Sequence, residues 1–203
     1  MTAAVKRVRL GPTKSLSMQS IVELAAHGTA VLSGCERYRY YLTRQMREQR
    51  LGLVVFVLCN PSTADALQDD ATVRKCMGFT RRWGRRDLHI YNAFALRSPN
   101  PKQLLRDADP FGPDNGAWLR NAFTELGSSA ERPILVLGWG EALPVPLRKR
   151  TIGLMAKLAI EFDVHPKCLG LTKSGQPRHP LMPSYETELQ DVAMLGFGQV
   201  GSA

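Results

Sequence analysis

The run from Leu53 to Leu58, LVVFVL, is the feature that most constrains this chain. Six apolar residues without a polar interruption, three of them valine, read as a buried strand that other elements must cover. The run ends on Cys59-Asn60-Pro61 and passes into a loop that carries Asp65, Asp69 and Asp70 and almost no large side chains. Asparagine before proline initiates turns, so Asn60 is expected to end this strand at the mouth of a sheet.

Short apolar runs alternate with longer amphipathic ones along the rest of the chain, the pattern of a sheet covered by helices. Strands are expected at Thr29 to Leu32, Tyr38 to Arg44, Leu88 to Ala93, Ile134 to Leu137 and Cys168 to Leu171. Val73, Cys76 or Met77, Thr80 and Trp83 recur at helical spacing, with Asp69 or Asp70 as N-cap and Gly84 as the stop. Two more helices are expected at about Asn115 to Leu126 and Leu147 to Glu161, and one helical turn at Lys102 to Arg106 inside the Pro/Asn/Asp/Gly-rich stretch Ser98 to Gly116. With 203 residues the chain suits one domain, set at 15–195. A flexible basic N-terminus (1–14) and a flexible Gly-rich C-terminus (196–203) are expected to flank it.

The formal charge of +9 favours a polyanionic partner, DNA or a nucleotide. Cys35, Cys59, Cys76 and Cys168 have no CxxC spacing, and the apolar runs are too short to cross a bilayer. A cytoplasmic protein without a membrane segment is expected. No His/Cys pair has zinc spacing and no phosphate-loop or dinucleotide fingerprint is present, so no metal and no cofactor are expected.

In a parallel sheet, ligands bind beyond the carboxyl ends of the strands. Asn60, Asn92, the LGWGEAL segment after the Ile134 strand and His179 in RHPL all fall at such ends. An asparagine closing an apolar strand must satisfy several hydrogen bonds or face a cavity, which singles out Asn92. Asp65, Asp69 and Asp70 read as caps in preference to a divalent-metal cluster, with Asp65 kept as a catalytic helper. Arg81, Arg82, Arg85 and Arg86 around Trp83 form the densest basic cluster and are expected to contact phosphate. Between Arg37 and Tyr41 cations alternate with aromatics; packing of the tyrosines in the core is the favoured reading, with base stacking second.

The segments LCNPSTADA, DDATVRKC, NAFALR, LGWGEAL and GQPRHPL, in that order, resemble the family called domain of unknown function 1643 over about residues 35 to 183. The same order of a strand-Asn-Pro loop, YNAFALRSPNP, ILVLGWGEAL and a late HPL is distantly similar to the uracil-DNA glycosylase superfamily. That likeness implies a three-layer α/β/α sandwich with a mainly parallel central sheet, and hydrolysis of the N-glycosidic bond of a base in DNA or a related nucleoside. The alternative is a nucleic-acid or nucleotide-binding module that keeps the pocket without the chemistry. By resemblance Asn60 holds the attacking water, Asn92 reads the base with a donor and an acceptor side by side, and His179 donates to the base oxygen. Phe79 and Trp139 join Asn92 as base-binding residues. Lys173, Arg178 and Leu181 join the four arginines in contacting nucleic acid, with Leu181 or Met182 as the wedge that fills the gap left by a flipped nucleotide. Ser62 stands where the superfamily commonly has glycine, and HPLMP lacks the serine that contacts phosphate there.

Overall fold

The computed structural model describes residues 5–10, 20–26, 28–50 and 52–192. Its strands are β1 (Lys6–Leu10), β2 (Ser20–Ala25), β3 (Gly28–Ser33), β4 (Arg39–Gln45), β5 (Leu53–Leu58), β6 (Asp87–Asn92), β7 (Ile134–Leu137), β8 (Lys167–Cys168) and β9 (Gln190–Asp191). Its α-helices are α1 (Ala71–Arg82), α2 (Asn115–Ser128) and α3 (Val145–Glu161), and Pro101–Leu105 makes a 3₁₀ turn. Among the described residues these strands form one sheet in the order β1-β2-β3-β4-β6-β5-β7-β8-β9.

This corrects the expected mainly parallel three-layer sandwich of the uracil-DNA glycosylase kind. Five adjoining pairs, β1/β2, β2/β3, β3/β4, β4/β6 and β8/β9, are antiparallel. Only β6/β5, β5/β7 and β7/β8 are parallel. The physical reason lies in the connections. Residues 26–27 and 34–38 are all that separate β2 from β3 and β3 from β4, and links so short can only reverse the chain. Each parallel neighbour instead follows a helical crossover. The result is a mixed, mostly antiparallel sheet with three α-helices.

The LVVFVL run is buried along its whole length because it lies inside the sheet with helices on both sides. Val54, Phe56 and Leu58 pack with Val73, Cys76 and Phe79 of α1. Leu53, Val55 and Val57 pack with Leu119, Ala122 and Phe123 of α2 and with Met155, Leu158 and Ala159 of α3. Alternate side chains of one strand thus feed two cores. α1 starts at Asp70, whose Oδ1 accepts from the Val73 N–H at 2.8 Å, and ends where Gly84 takes φ +65°. Aspartate at the start and a left-handed glycine after the end are efficient stops.

Candidate functional site

Because β5, β6, β7 and β8 run parallel, their carboxyl ends share one edge of the sheet. β4 is antiparallel to β6, so its first residue, Arg39, reaches the same edge from the opposite direction. A recess opens there, lined by Arg39, Leu58, Asn60, Ser62, Asp70, Thr72, Asn92 and His179 among others. Asn60, Asn92 and His179, expected to act together, therefore share one cavity.

Asn60 does more than end the strand. Its Nδ2 donates to the carbonyls of Ser98 (2.8 Å), Pro61 (3.1 Å) and Leu96 (3.4 Å), and the Ser98 N–H donates to the Pro61 carbonyl (2.9 Å). The step thus staples the loop after β5 to the loop after β6. With the amide nitrogen committed, the Asn60 oxygen is the acceptor left over.

Asn92 is 1% exposed. Its Oδ1 accepts from the Arg39 guanidinium at 3.2 Å, while its Nδ2 is buried with no partner among the described residues. Asn92 therefore offers the recess a donor only, which replaces the expected donor and acceptor side by side. Its backbone is held in turn by Asn115, whose Nδ2 donates to the carbonyls of Asn92 (3.1 Å) and Ala93 (3.2 Å).

Arg39 also lines the recess, from the strand in which cations alternate with tyrosines. Its side chain is buried; one nitrogen donates to the Ala64 carbonyl at 2.9 Å, another to Asn92, and Nε has no partner among the described residues. Among the described residues no carboxylate stands within ion-pair distance of it. Burial pulls its pKa down to about 10, with the Asp70 charge opposing that fall. Arg44, also buried on β4, shows the contrast: its Nε binds Asp69 at 2.7 Å and its other nitrogens donate to the Thr43 and Asp65 carbonyls. A cation without a counter-charge costs on the order of several kcal/mol to bury, and such groups concentrate at functional sites.

His179 is half-buried. Its Nδ1 accepts from the Leu181 N–H at 3.4 Å, which puts the ring proton on Nε2. Burial lowers its pKa below the ordinary value, partly opposed by Asp70. The imidazole is thus a neutral donor. The LGWG motif positions it: Gly140 has φ +64°, its N–H donates to the Pro177 carbonyl at 2.8 Å, and a Cβ there would lie 2.9 Å from the His179 Cβ.

Asp70 also faces the recess, with one carboxylate oxygen capping α1 and the other without a hydrogen-bond partner among the described residues. Asp65, expected to assist catalysis, instead folds back on its own loop, where Oδ1 accepts from the Leu67 and Gln68 N–H groups at 2.8 Å. Asp70, and not Asp65, lines the recess, and the loop is tied down by Arg44 and Asp69. Among the described residues no group of three or more His, Cys, Asp or Glu could hold a metal ion, and no helix is long and apolar enough to cross a membrane.

Phe79 and Trp139 do not reach the recess. Phe79 is a core residue against Trp83 and Tyr185, and Trp139 is buried with its Nε1 donating to Gln176 at 2.9 Å. The four arginines cluster at the C-terminal end of α1, a helix of 12 residues that begins at the recess. A helix of that length spans about 18 Å, so they lie at the far edge. There Arg81 pairs with Glu48, Arg82 with Glu186 and Arg86 with Asp87, and Arg85 donates to the Glu131 carbonyl. Lys173, Arg178 and Leu181 line a different feature, a groove that adjoins the recess at His179 and includes Met182 and Gly140. The recess has a volume of about 40 Å³ and the groove about 800 Å³. The first has room for a few waters or the polar edge of a ring; the second can hold a larger group.

No curated protein matches the chain, and no solved structure does. Residues 39–181 match the model of the family described as "Protein of unknown function (DUF1643)", a span that begins at Arg39 and takes in Asn60, Asp70, Asn92 and His179. The chain belongs to the DUF1643 family.

Proposed function

We propose that the recess receives the polar edge of a nucleobase and that the protein hydrolyses the N-glycosidic bond joining that base to its sugar. The observation that carries this reading is the convergence of Asn60, Asn92 and His179 on one cavity, with the Asn92 Nδ2 buried and unpartnered. As the bond between C1′ and the base nitrogen breaks, its electron pair moves onto the base and positive charge develops on the sugar. The Asn92 N–H and the His179 Nε2–H donate to the base oxygen that gains charge, an arrangement worth most where water is excluded. The Asn60 oxygen orients a water toward C1′, and the free oxygen of Asp70 takes its proton. The proton then passes to the departed base, and the sugar keeps the hydroxyl.

The adjoining groove gives the sugar a place outside the recess, and the charge of +9 supports a phosphate-bearing substrate, DNA or a nucleotide. A second reading, base or nucleotide binding without bond cleavage, is supported by the three carbonyls that occupy the Asn60 amide, because a purely architectural asparagine needs no more. One assay separates them. Oligonucleotides and nucleosides carrying uracil, thymine, hypoxanthine, cytosine or adenine are incubated with the protein and free base is quantified by chromatography. Release that falls about 10²-fold or more in Asn60→Ala supports hydrolysis. Saturable binding with no release from any substrate supports the second reading.

A further inference from the structure

We infer that Arg39 is a positioning residue that makes the recess select ring edges bearing a carbonyl oxygen over edges bearing an exocyclic amine. The inference rests on the base-binding reading above and adds a ligand class to it. An amide side chain can turn its oxygen or its nitrogen to a ligand, and the two faces recognise opposite groups. Here the choice is fixed: the Arg39 guanidinium donates to the Asn92 oxygen at 3.2 Å and has no acceptor role to offer the nitrogen. The Asn92 Nδ2 is left buried, unpartnered and available only to an acceptor. His179 repeats that polarity, since its Nδ1 is taken by the Leu181 N–H and its Nε2 carries the proton.

A carbonyl oxygen meets two donors in such a site. An exocyclic amine in the same place meets N–H against N–H, and a buried donor left unsatisfied discriminates strongly. Arg39 adds a second bias. Among the described residues its buried charge has no paired carboxylate and its Nε no partner, so electron density on the bound ring edge is favoured over its absence. Asp70, whose charge most opposes this burial, uses one oxygen for the Val73 N–H and forms no ion pair with Arg39.

The test uses calorimetric binding of free uracil against cytosine, and hypoxanthine against adenine, to the full chain and to Arg39→Met and Arg39→Lys. The native protein is expected to prefer the oxo member of each pair by at least tenfold. In Arg39→Met, which keeps the apolar stem and removes the guanidinium, Asn92 can turn over and the preference is expected to fall below threefold. Arg39→Lys, which retains charge and one donor, is expected to keep part of it. Thermal unfolding of each variant identifies a merely structural loss, because a fold defect lowers affinity for both members and leaves their ratio unchanged. An unchanged ratio in Arg39→Met, no preference in the native chain, or no binding of any of the four bases overturns the inference. Preferential binding without base release leaves it standing and removes the hydrolytic reading; release from oxo and amino substrates alike does the reverse.

Discussion

Asp70 caps α1 through one oxygen and, in the proposed hydrolysis, takes the proton of water through the other, and the two roles can be separated. Asparagine caps helices about as well as aspartate, so Asp70→Asn should leave the unfolding midpoint nearly unchanged while lowering base release at least tenfold in the chromatographic assay. Asp70→Ala should lose the cap as well, costing about 1 kcal/mol in denaturant titration. His179 gives a pH signature. Its folded pKa lies below the ordinary 6.5 because burial penalises the charged ring. As pH falls through that value the unfolded chain takes up a proton that the folded chain refuses, so stability declines on acidification. Denaturant midpoints at pH 7 and pH 5 should differ less in His179→Gln than in the native protein. The asparagine positions were legible in the sequence, because an amide closing an apolar strand demands partners. The polarity of Asn92 was not, since it depends on Arg39, which reaches it across the sheet from a strand running the other way.

At the scale of elements, two loops hold the site, and each has a removable pin. Gly140 is needed both for its φ of +64° and for the close approach of His179. Gly140→Ala should strain the backbone by about 1–3 kcal/mol and push the histidine loop outward, abolishing binding more completely than it lowers the unfolding temperature. The loop of residues 64–70 hangs on Arg44, which joins Asp69 and the Asp65 carbonyl from inside the sheet. Asp69→Ala leaves that cation without its partner and should cost about 3 kcal/mol by chemical denaturation, with Arg44→Met/Asp69→Ala together recovering part of the loss. α1 could be read directly, because Val73, Cys76 and Thr80 share a stripe and Asp70 caps it. β1 could not. Its KRVRL alternates cations with aliphatics and resembles a basic tail; what makes it a strand is pairing with β2 and the ion pairs of Arg7 with Glu23 and Glu36, contacts distant in sequence.

Across the whole molecule, one edge of the parallel strands carries the recess and the opposite edge carries the arginines. Replacing Arg81, Arg82, Arg85 and Arg86 with glutamine should leave binding of a free base unchanged, while any affinity for duplex DNA at low salt should weaken and its salt dependence flatten. Equal losses in both measurements would place the cluster at the site. The parallel strands β5, β6 and β7 announced themselves through apolar runs and the helices between them, whereas β8, expected at Cys168 to Leu171, is only Lys167–Cys168. The mostly antiparallel character of the sheet did not, because strand direction is set by short connections such as residues 26–27 and by edge strands of weak hydrophobicity. The site itself was legible as far as the carboxyl-end rule reaches. Arg39 fell outside that rule, since an antiparallel strand brings its first residue, not its last, to the same edge.

On the proposed function, Asn60, Asn92 and His179 form one site for the polar edge of a nucleobase. The most direct measurement is a titration of the isotopically labelled protein with free uracil, following the Asn92 side-chain amide and the His179 ring protons by nuclear magnetic resonance. Both sets of signals should shift together along one saturation curve, and Asn92→Ala should abolish the His179 shift. Shifts confined to other regions, or none at saturating uracil and hypoxanthine, would contradict the account.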